Sequence, residues 1–457
     1  MCIRDSPDAE GEKIAWDTRA LASPFNPNIK RIRYHEVTKR AITEALTNPE
    51  NFDENLLHAQ LLRRVEDAWI GLPLSMILQK AFGYRRLSAG RVQTPVLGWV
   101  VERTEINAKE KVELINLTLE NGFQLTFKAP RGTFSKIKEK GVVEVIDAWR
   151  EVREVIPSPP YITSTLLIDA GRQLKMGTDE AMRIAQELFE SGLITYHRTD
   201  STTVSGFGIE LAKKYLSKVN LEEYSEPRSW SGEVGAHECI RPTRPLNAEE
   251  IEVMVKSRLL PSSIPLGRRH FSLYNLIFRR FIASQMKSAK IEYLNLKIDA
   301  GGFLIENLSF PVKILEPGFT TVMHLDVAKV FPGKGVYKIV EGKRRLIGAE
   351  PLYTEADLIR LMREKGIGRP STYAVIVEKL KDRYYVTKLK GGQLVATKLG
   401  KKAYEFLVSQ YRELLSEERT RMLYTDMDAV EHGEIRLIDA IKKLHEEVSY
   451  LLDSSKH

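Results

Sequence analysis

The sequence is poor in cysteine and has no long apolar run. Cys2 and Cys239 are its two cysteines among 457 residues, and two thiols cannot build a disulfide framework or a four-cysteine zinc site. No apolar run approaches the roughly 18 residues that a membrane-spanning helix needs. The opening Met1–Ser6 is too short and too polar for a signal peptide. We therefore expect a cytoplasmic protein with no membrane partner.

The overall composition fits folded globular domains. Hydrophobic residues make up 43% and charged residues 28% of the chain, which argues against disorder, and the length suggests about three domains. Lysine and arginine number 69 against 61 aspartates and glutamates, a net charge of +8. This modest excess permits nucleic-acid binding but does not demonstrate it.

Two blocks of the chain alternate in the manner of β-strands, Leu114–Val155 and Leu294–Ile347. The proline cluster Pro157–Pro160 follows the first block and predicts a linker. Helical stretches precede, separate and follow the two blocks. This order suggests one β domain that is split by an insertion.

Three helix boundaries are predicted from local signals. An amphipathic helix begins near Leu56 and is expected to end at Gly71–Pro73. The residues Thr354–Asp357 form a capping box that starts another helix. Thr178 can cap a third helix, whose apolar stripe consists of Ala181, Ile184, Ala185, Leu188 and Phe189.

The segment Gly192–Ser201 brings a phenol, a guanidinium and a carboxylate together. The oxygen of Tyr196 can attack a phosphodiester and keep the bond energy in a phosphotyrosine ester. Arg198 would share its face in an extended segment and can stabilise the charge of a phosphoryl transition state. A buried tyrosine beside a surface salt bridge gives the same Tyr-x-Arg pattern, so the motif alone leaves both interpretations open.

The chain resembles type IA DNA topoisomerases from about Pro7 to about Leu451. Ile194–Ser201 closely resembles the active-site segment of that family, which implies that Tyr196 is the nucleophile and that Arg198 is catalytic. Further segments match the family in its order, namely Pro7–Trp16, Leu87–Pro95, Tyr161–Leu166, Ala236–Thr243 and Gly366–Tyr373.

A narrower resemblance is to the topoisomerase half of reverse gyrases. It is carried by Glu10–Asp17, Arg64–Gly71, Gln93–Trp99 and Leu276–Gln285. Reverse gyrases couple a helicase-like ATPase to a type IA topoisomerase and introduce positive supercoils. The chain has no Gly-x-x-x-x-Gly-Lys-Ser/Thr phosphate loop, so an ATPase/helicase-like half is the partner expected in the full-length protein.

The metal site departs from the family pattern. The resemblance implies Mg²⁺ on a Toprim domain, held by an Asp-x-Asp-x-Glu run and an upstream glutamate. Asp8 and Glu10 match the last two acids and would project from one side of an extended loop, while Ser6 stands where the first aspartate is expected. Because Met1–Ser6 does not resemble the family, we interpret it as a foreign start that is joined to a truncated Toprim domain.

The resemblance also implies residues that bind the DNA strand. The turn before a helix near residue 370 offers backbone N–H groups and an arginine to a phosphate, through Arg369, Ser371 and Thr372. Family residues that grip single-stranded DNA are matched by Ser88, Arg91 and Gln93. Arg63 and Asp67 lie at i and i+4 on a helix and resemble residues beside the bound strand, although an ordinary surface ion pair explains them as well.

His237 lies in Ala236–Thr243, and the resemblance places it near the nucleophile, where it would contact the scissile region or assist proton transfer. A lone histidine is more often structural, and the motif favours the functional reading. Arg241, in the same motif, is interpreted as a local structural residue or a phosphate contact.

The implied fold is a multidomain α+β toroid with a truncated Toprim domain, a split β arch and helical domains. The expected divisions are a Toprim remnant (1–37), a helical DNA-binding domain (38–110 and 349–457), the arch (111–157 and 289–348) and a tyrosine domain (158–288).

In the implied mechanism, Tyr196 cleaves one strand of a locally single-stranded duplex. The protein holds both ends while a second strand passes, and the break is then resealed. An ordinary ATP-independent type IA enzyme is one alternative. A single-stranded DNA clamp with impaired catalysis is another, because the metal site is incomplete. Recombinases and type IB topoisomerases also use tyrosine, but Asp8, Glu10 and the motif order argue against them.

Overall fold

The computed structural model describes residues 2–4, 9–230, 238–260 and 264–454. Within these ranges, no helix is both long and apolar enough to cross a membrane. The helices there are α1 (Ala9–Ala22), α2 (Lys39–Thr47), α3 (Glu54–Phe82), α4 (Gln93–Lys109), α5 (Thr133–Lys140), α6 (Thr163–Leu174), α7 (Thr178–Glu190), α8 (Gly206–Lys218), α9 (Ala248–Lys256), α10 (Arg268–Ser284), α11 (Glu355–Glu364), α12 (Tyr373–Asp382), α13 (Lys398–Tyr411), α14 (Glu417–Glu431) and α15 (Leu437–Ser454).

In the described ranges, the strands form one large sheet and two small ones. The strands are β1 (Cys2–Arg4), β2 (Lys30–Ile32), β3 (Lys111–Leu119), β4 (Gln124–Ala129), β5 (Val142–Val155), β6 (Ala289–Ala300), β7 (Phe303–Glu316), β8 (Gly335–Gly348), β9 (Val386–Lys388) and β10 (Leu394–Ala396). The large sheet is antiparallel, with the order β4-β3-β8-β5-β6-β7. Strand β8 is the last strand of this sheet along the chain, and it lies between β3 and β5. It therefore pairs a strand of the second block of the sequence with two strands of the first block.

The large sheet has a hydrophobic core of its own. Alternate residues of several strands point into it because side chains of a strand alternate between its two faces. They include Ile115, Leu117, Val143, Leu296 and Ile298. Helix α5 packs into this core through Ile137, whereas the other helices from α3 onward share a separate, larger core. The 133 residues between β5 and β6 (156–288) are therefore an insertion that packs with the helical elements rather than with the sheet.

The N-terminal residues form a strand–helix–strand unit. β1 and β2 pair in parallel, and α1 connects them. Glu12 on α1 is buried and forms an ion pair with the buried Arg31 of β2, and its other oxygen accepts the backbone N–H of Asp53 at 2.8 Å. Glu12 thus joins this unit to the start of α3.

Helix α3 does not end at Gly71–Pro73, as the sequence predicted, but continues to Phe82. A proline inside a helix removes one backbone hydrogen bond and crowds the preceding turn. Ile70, Leu74 and Leu78 are all fully buried on the same stripe, so apolar burial on both sides of Pro73 outweighs that local cost.

The predicted stripe of α7 is confirmed, because all of its members are buried. Thr178 is not the cap of this helix, however. Gly177 occupies that position, and the N–H of Thr178 donates to Glu355 at 2.9 Å. A carboxylate from α11 takes the role that the sequence assigned to a local hydroxyl. The capping box of α11 itself is confirmed, with Thr354 and Asp357 bonded reciprocally.

Candidate active site and DNA-binding surface

Tyr196 lies in a short extended segment after α7 and is only 4% exposed. Its N–H donates to the carbonyl of His35 at 2.7 Å, and Glu36 pairs with Thr195 in an antiparallel bridge. The ring packs edge-on against Phe189 with the centroids 5.3 Å apart. The strand-like residues that follow β2 therefore hold one edge of the tyrosine segment.

Gly192 permits this approach. Its φ is +68°, and a Cβ at this position would lie 2.3 Å from the carbonyl oxygen of Val37. Glycine is the residue that tolerates both the left-handed conformation and such a close backbone. We infer that the backbone before the tyrosine segment can lie this close to residues 35–37 only because residue 192 has no side chain.

The other edge of the segment pairs with the residues around Arg241. The N–H of Thr195 donates to the Arg241 carbonyl at 2.9 Å, and the hydroxyl of Thr195 donates to the Cys239 carbonyl at 2.7 Å. Ile194 forms a bridge with Pro242. The tyrosine segment is thus the middle of three paired stretches, so its backbone is fixed from both sides.

Arg198 extends from the same segment toward α1. Its Nη1 lies 3.4 Å from Oε2 of Glu10, and its side chain is about one-third exposed. Its buried Nε has no hydrogen-bond acceptor among the residues that the structure describes. The guanidinium therefore keeps a donor available, as a residue that contacts a phosphate would need.

The structure describes one of the two expected metal ligands, Glu10, while Asp8 lies outside the described residues. Glu10 is in the first turn of α1, so the expectation of an extended loop at this residue was wrong, because the helix already begins at Ala9. Within the described ranges, no cluster of three or more histidines, cysteines, aspartates and glutamates is placed to hold a metal.

The exposed carboxylate of Glu10 suits a Mg²⁺ ion that has few protein ligands. Its side chain is 55% exposed, whereas Glu12 on the same helix is buried and already paired with Arg31. Mg²⁺ is commonly bound through one or two carboxylates together with water and substrate phosphate. Glu10 fits that pattern and Glu12 does not.

Arg91 is a buried arginine two residues before the start of α4. Its Nε donates to Asp67 at 2.8 Å, and Asp67 also lies 3.8 Å from Nε of Arg63. Nη1 of Arg91 is buried without a hydrogen-bond partner in the described part of the chain. The Arg63–Asp67 pair is therefore more than a surface pair, because its carboxylate orients Arg91.

Ser88 and Gln93 belong to a polar cluster beside Arg91. The side chain of Gln93 donates to the Ser88 carbonyl at 3.1 Å, and Nε of Arg383 donates to the Ser88 hydroxyl at 3.1 Å. The hydroxyl of Tyr385 exchanges hydrogen bonds with the backbone of Ser88. Arg383 and Tyr385 come from the chain after α12, so the cluster joins two distant parts of the sequence.

The turn before α12 leads into that helix as expected, but the backbone N–H groups of Gly368, Arg369 and Thr372 donate within the protein. Gly366 and Gly368 both have positive φ, and the hydroxyl of Thr372 accepts the N–H of Arg369 at 2.8 Å. Ser371 is half-buried. Thr372 therefore shapes the loop, and Arg369 is the residue of this turn that carries charge.

Tyr424 of α14 links the two arginines, and nothing in the sequence signalled it. Its ring lies 3.7 Å from the guanidinium carbon of Arg369 and 5.2 Å from that of Arg91. Its hydroxyl accepts the N–H of Gly368 at 3.1 Å. An isolated tyrosine in a helix carries no motif, so only the fold shows that it holds both cations.

The turn also faces the tyrosine segment. Desolvation raises the pKa of Asp200, and the charges of Arg369 and Arg363 partly oppose this. Desolvation and then the charge of Asp200 raise the pKa of Tyr373, the first residue of α12. The predicted DNA-binding turn therefore lies close to the end of the segment that carries Tyr196.

The Ala236–Thr243 motif is described only in part. His237 lies outside the described residues. Arg241 is buried, donates to Glu238 through Nε at 2.6 Å and through Nη2 at 2.7 Å, and reaches Glu36 at 3.3 Å. Of the two interpretations of Arg241, the structural one fits these contacts, because its donors are already used.

Comparison with known proteins decides the family. A family model described as DNA topoisomerase matches residues 51–442. This chain belongs to that family. It is 43% identical to the reverse gyrase of Pyrococcus furiosus over 98% of the chain and 36% of that protein, and 44% identical to reverse gyrase 1 of Aquifex aeolicus over 98% of the chain and 39% of that protein. The chain thus spans little more than a third of these relatives.

A solved structure supports the fold as well. Full-length topoisomerase I from Thermotoga maritima matches with a TM-score of 0.77 and 30% identity, and the match covers 98% of this chain and 77% of that one. The expected type IA class, with its split β sheet, and the resemblance to the topoisomerase half of reverse gyrases are both confirmed.

Proposed function

We propose that the chain cleaves one DNA strand with Tyr196 as its nucleophile. The phenolic oxygen forms a bond to the 5′-phosphorus, the bond from phosphorus to the 3′-oxygen breaks, and that oxygen leaves as a hydroxyl. The phenol loses a proton and the 3′-oxygen gains one, so the step is reversible without an energy source. The observation that carries this proposal is the contact of Arg198, which lies on the tyrosine segment two residues after Tyr196, with Glu10.

Arg198 would stabilise the charge that develops on the phosphate. Its Nε is free of acceptors in the described residues, while Nη1 is oriented by Glu10. A preorganised donor of this kind acts most strongly where water is excluded. Asp8 and Glu10 would hold Mg²⁺, which would screen the negative charge of the phosphate when bound. His237 would contact the scissile region or assist proton transfer there.

The DNA strand would run from the tyrosine segment to the surface of the helical elements. Arg369 and the buried Arg91 supply positive charge there, and Ser371, Thr372, Ser88 and Gln93 supply polar groups. Arg63 and Asp67 would act mainly by orienting Arg91. The proximity of Arg369 to Asp200 supports one continuous path.

The identity to reverse gyrases supports a larger assignment. We propose that the chain is the topoisomerase portion of such an enzyme, that a helicase-like ATPase portion drives positive supercoiling in the whole protein, and that it works on DNA in the cytoplasm. We also propose the domain division given by the sequence, with the Toprim remnant at 1–37 and the arch at 111–157 and 289–348. The separate core of the large sheet supports the arch.

Cleavage of a single-stranded oligonucleotide tests the chemistry. With Mg²⁺ present, a strand labelled at its 3′ end should become covalently attached to the protein, whereas a strand labelled at its 5′ end should be released as a shorter free fragment. A chelator should abolish both results. Attachment of the 5′-labelled fragment instead would contradict the proposal, because it would indicate the 3′-phosphotyrosine chemistry of a type IB enzyme or a recombinase.

A plasmid assay tests the assignment to reverse gyrase. The chain alone should give no positive supercoils with ATP, since it has no phosphate loop. The chain joined to the ATPase portion of a reverse gyrase should give them. Positive supercoils from the chain alone would overturn the assignment, and so would their absence from the joined protein when relaxation is intact.

A further inference from the structure

An ion pair crosses the interface between the residues that follow β2 and the tyrosine region. Glu36 is buried, and its Oε2 lies 3.3 Å from Nη2 of Arg241. Its Oε1 accepts from Arg40 at 2.6 Å and from the hydroxyl of Thr38 at 2.9 Å. Both carboxylate oxygens of Glu36 are thus engaged, one on each side of the interface.

Arg241 connects this pair directly to the nucleophile segment. Its backbone N–H donates to the hydroxyl of Thr195 at 2.9 Å, and its carbonyl accepts the N–H of Thr195. Thr195 is the neighbour of Tyr196 and is also the bridge partner of Glu36. A shift of the Arg241 side chain relative to Glu36 would therefore be transmitted to Tyr196 through a single residue.

An aromatic contact reinforces the same interface. The ring of Phe207, on α8, lies 4.2 Å from the guanidinium carbon of Arg40 on α2 and 5.3 Å from that of Arg241. Guanidinium groups are attracted to the faces of aromatic rings at such distances. Phe207 thus contacts one guanidinium from each side of the interface.

The interface borders a surface pocket of about 370 Å³ that is open to solvent and is lined by Glu36, Arg40, Phe207, Glu238 and Arg241 among others. Water is therefore available at the edge of the interface, where polar contacts can be broken and formed again without unfolding either side.

We propose that Glu36 and Arg241 are positioning residues that hold the tyrosine segment in place and form the latch of the closed DNA gate. This inference rests on the proposed cleavage by Tyr196. While the latch is closed, the phosphotyrosine stays beside the 3′-hydroxyl and the break can be resealed. When the latch opens, the two DNA ends separate and a second strand can pass.

Glu36→Gln is the test, because it removes the charge and keeps the shape. We expect resealing to slow by at least about tenfold in this variant, since hydrogen bonds to charged groups are among the stronger ones. The covalent adduct should accumulate, and the rate of cleavage should change much less. Glu180→Gln is the matched control, because Glu180 forms a bidentate pair with Arg269 inside the tyrosine region and should leave both rates unchanged.

A second measurement separates the latch from the chemistry. Fluorescent probes at the exposed positions Leu46 and Lys214 report the separation of α2 and α8, in a background that carries Cys2→Ser. Glu36→Gln should widen this separation without DNA, even if the wild-type protein forms no adduct. An unchanged separation would overturn the latch. Parallel losses of cleavage and resealing would also overturn it, because they would indicate a purely structural role.

Discussion

Arg198 on the tyrosine segment and Glu10 in the first turn of α1 lie 3.4 Å apart. They are 188 positions apart in the chain, and their contact brings the expected metal site to the nucleophile. The pair is partly exposed, so its contribution to stability is small. Its importance is therefore the orientation of the guanidinium toward a phosphate.

Replacement of Arg198 by alanine should slow DNA cleavage about a hundredfold or more, because removal of a preorganised donor costs a few kcal/mol in the transition state. Binding of a single-stranded oligonucleotide should change only a few-fold. Single-turnover cleavage and fluorescence anisotropy measure the two effects. Arg198→Lys is the control for charge and should recover only part of the rate, since lysine lacks the planar fork. Equal losses of binding and cleavage would show that Arg198 is a general phosphate contact.

Glu10 and Glu12 offer a matched comparison on one helix. Glu10→Gln should raise the Mg²⁺ concentration needed for cleavage and leave the free energy of unfolding unchanged. Glu12→Gln should lower the free energy of unfolding by about 3 kcal/mol, because it leaves the buried Arg31 without its carboxylate. Metal titrations of cleavage and urea unfolding distinguish them. A loss of stability in Glu10→Gln, together with an unchanged metal requirement, would remove Glu10 from the metal site.

Arg369→Ala should weaken the binding of single-stranded DNA and reduce the slope of log K against log salt by about one unit. Cleavage at saturating DNA should be nearly unchanged. Arg183→Ala is a suitable control, because Arg183 is exposed on α7 and pairs with Glu187. The assignment fails if the two variants show the same salt dependence.

Much of this architecture could be predicted from local sequence patterns. The apolar stripe of α7 and the capping box of α11 depend on neighbouring residues alone, and both were confirmed. The continuation of α3 past Pro73 could not be predicted, because it depends on burial against distant helices. Thr178 was assigned wrongly for the same reason, since its partner Glu355 lies 177 positions away.

The residues of the candidate site also divide into those that a local motif identifies and those that only the fold reveals. Tyr196, Arg198 and the turn at Arg369 lie in contiguous motifs, so a resemblance could identify them. Tyr424 and Arg383 lie in ordinary helical or connecting sequence and become visible only when the fold brings them to Arg91 and Ser88. Glu36 was missed because its partner Arg241 lies 205 positions further along the chain.

Glu238 predicts a pH dependence of stability. Burial would raise the pKa of this carboxyl, but the charge and hydrogen bonds of Arg241 lower it below its ordinary value of 4.5. A carboxyl with a lowered pKa stabilises the fold above the ordinary pKa, and this stabilisation is lost as the pH falls through the lowered value.

Glu238→Gln should therefore be less stable than wild type by about 3 kcal/mol at pH 7. The difference should shrink once the pH falls below 4.5. Urea unfolding at several pH values provides the measurement. A difference that stays constant over this range would mean that the Glu238 charge does not stabilise the region around Thr195.

The most direct test of the account is to locate the covalent bond between protein and DNA. The protein is incubated with Mg²⁺ and a 3′-labelled oligonucleotide, the covalent adduct is trapped and digested, and the modified peptide is identified by mass spectrometry. The nucleotide should be attached to Tyr196, and Tyr196→Phe should give no adduct. Tyr274→Phe should give the wild-type amount, because the hydroxyl of the buried Tyr274 donates to the Leu246 carbonyl. An adduct on another residue, or one that survives in Tyr196→Phe, would contradict the account.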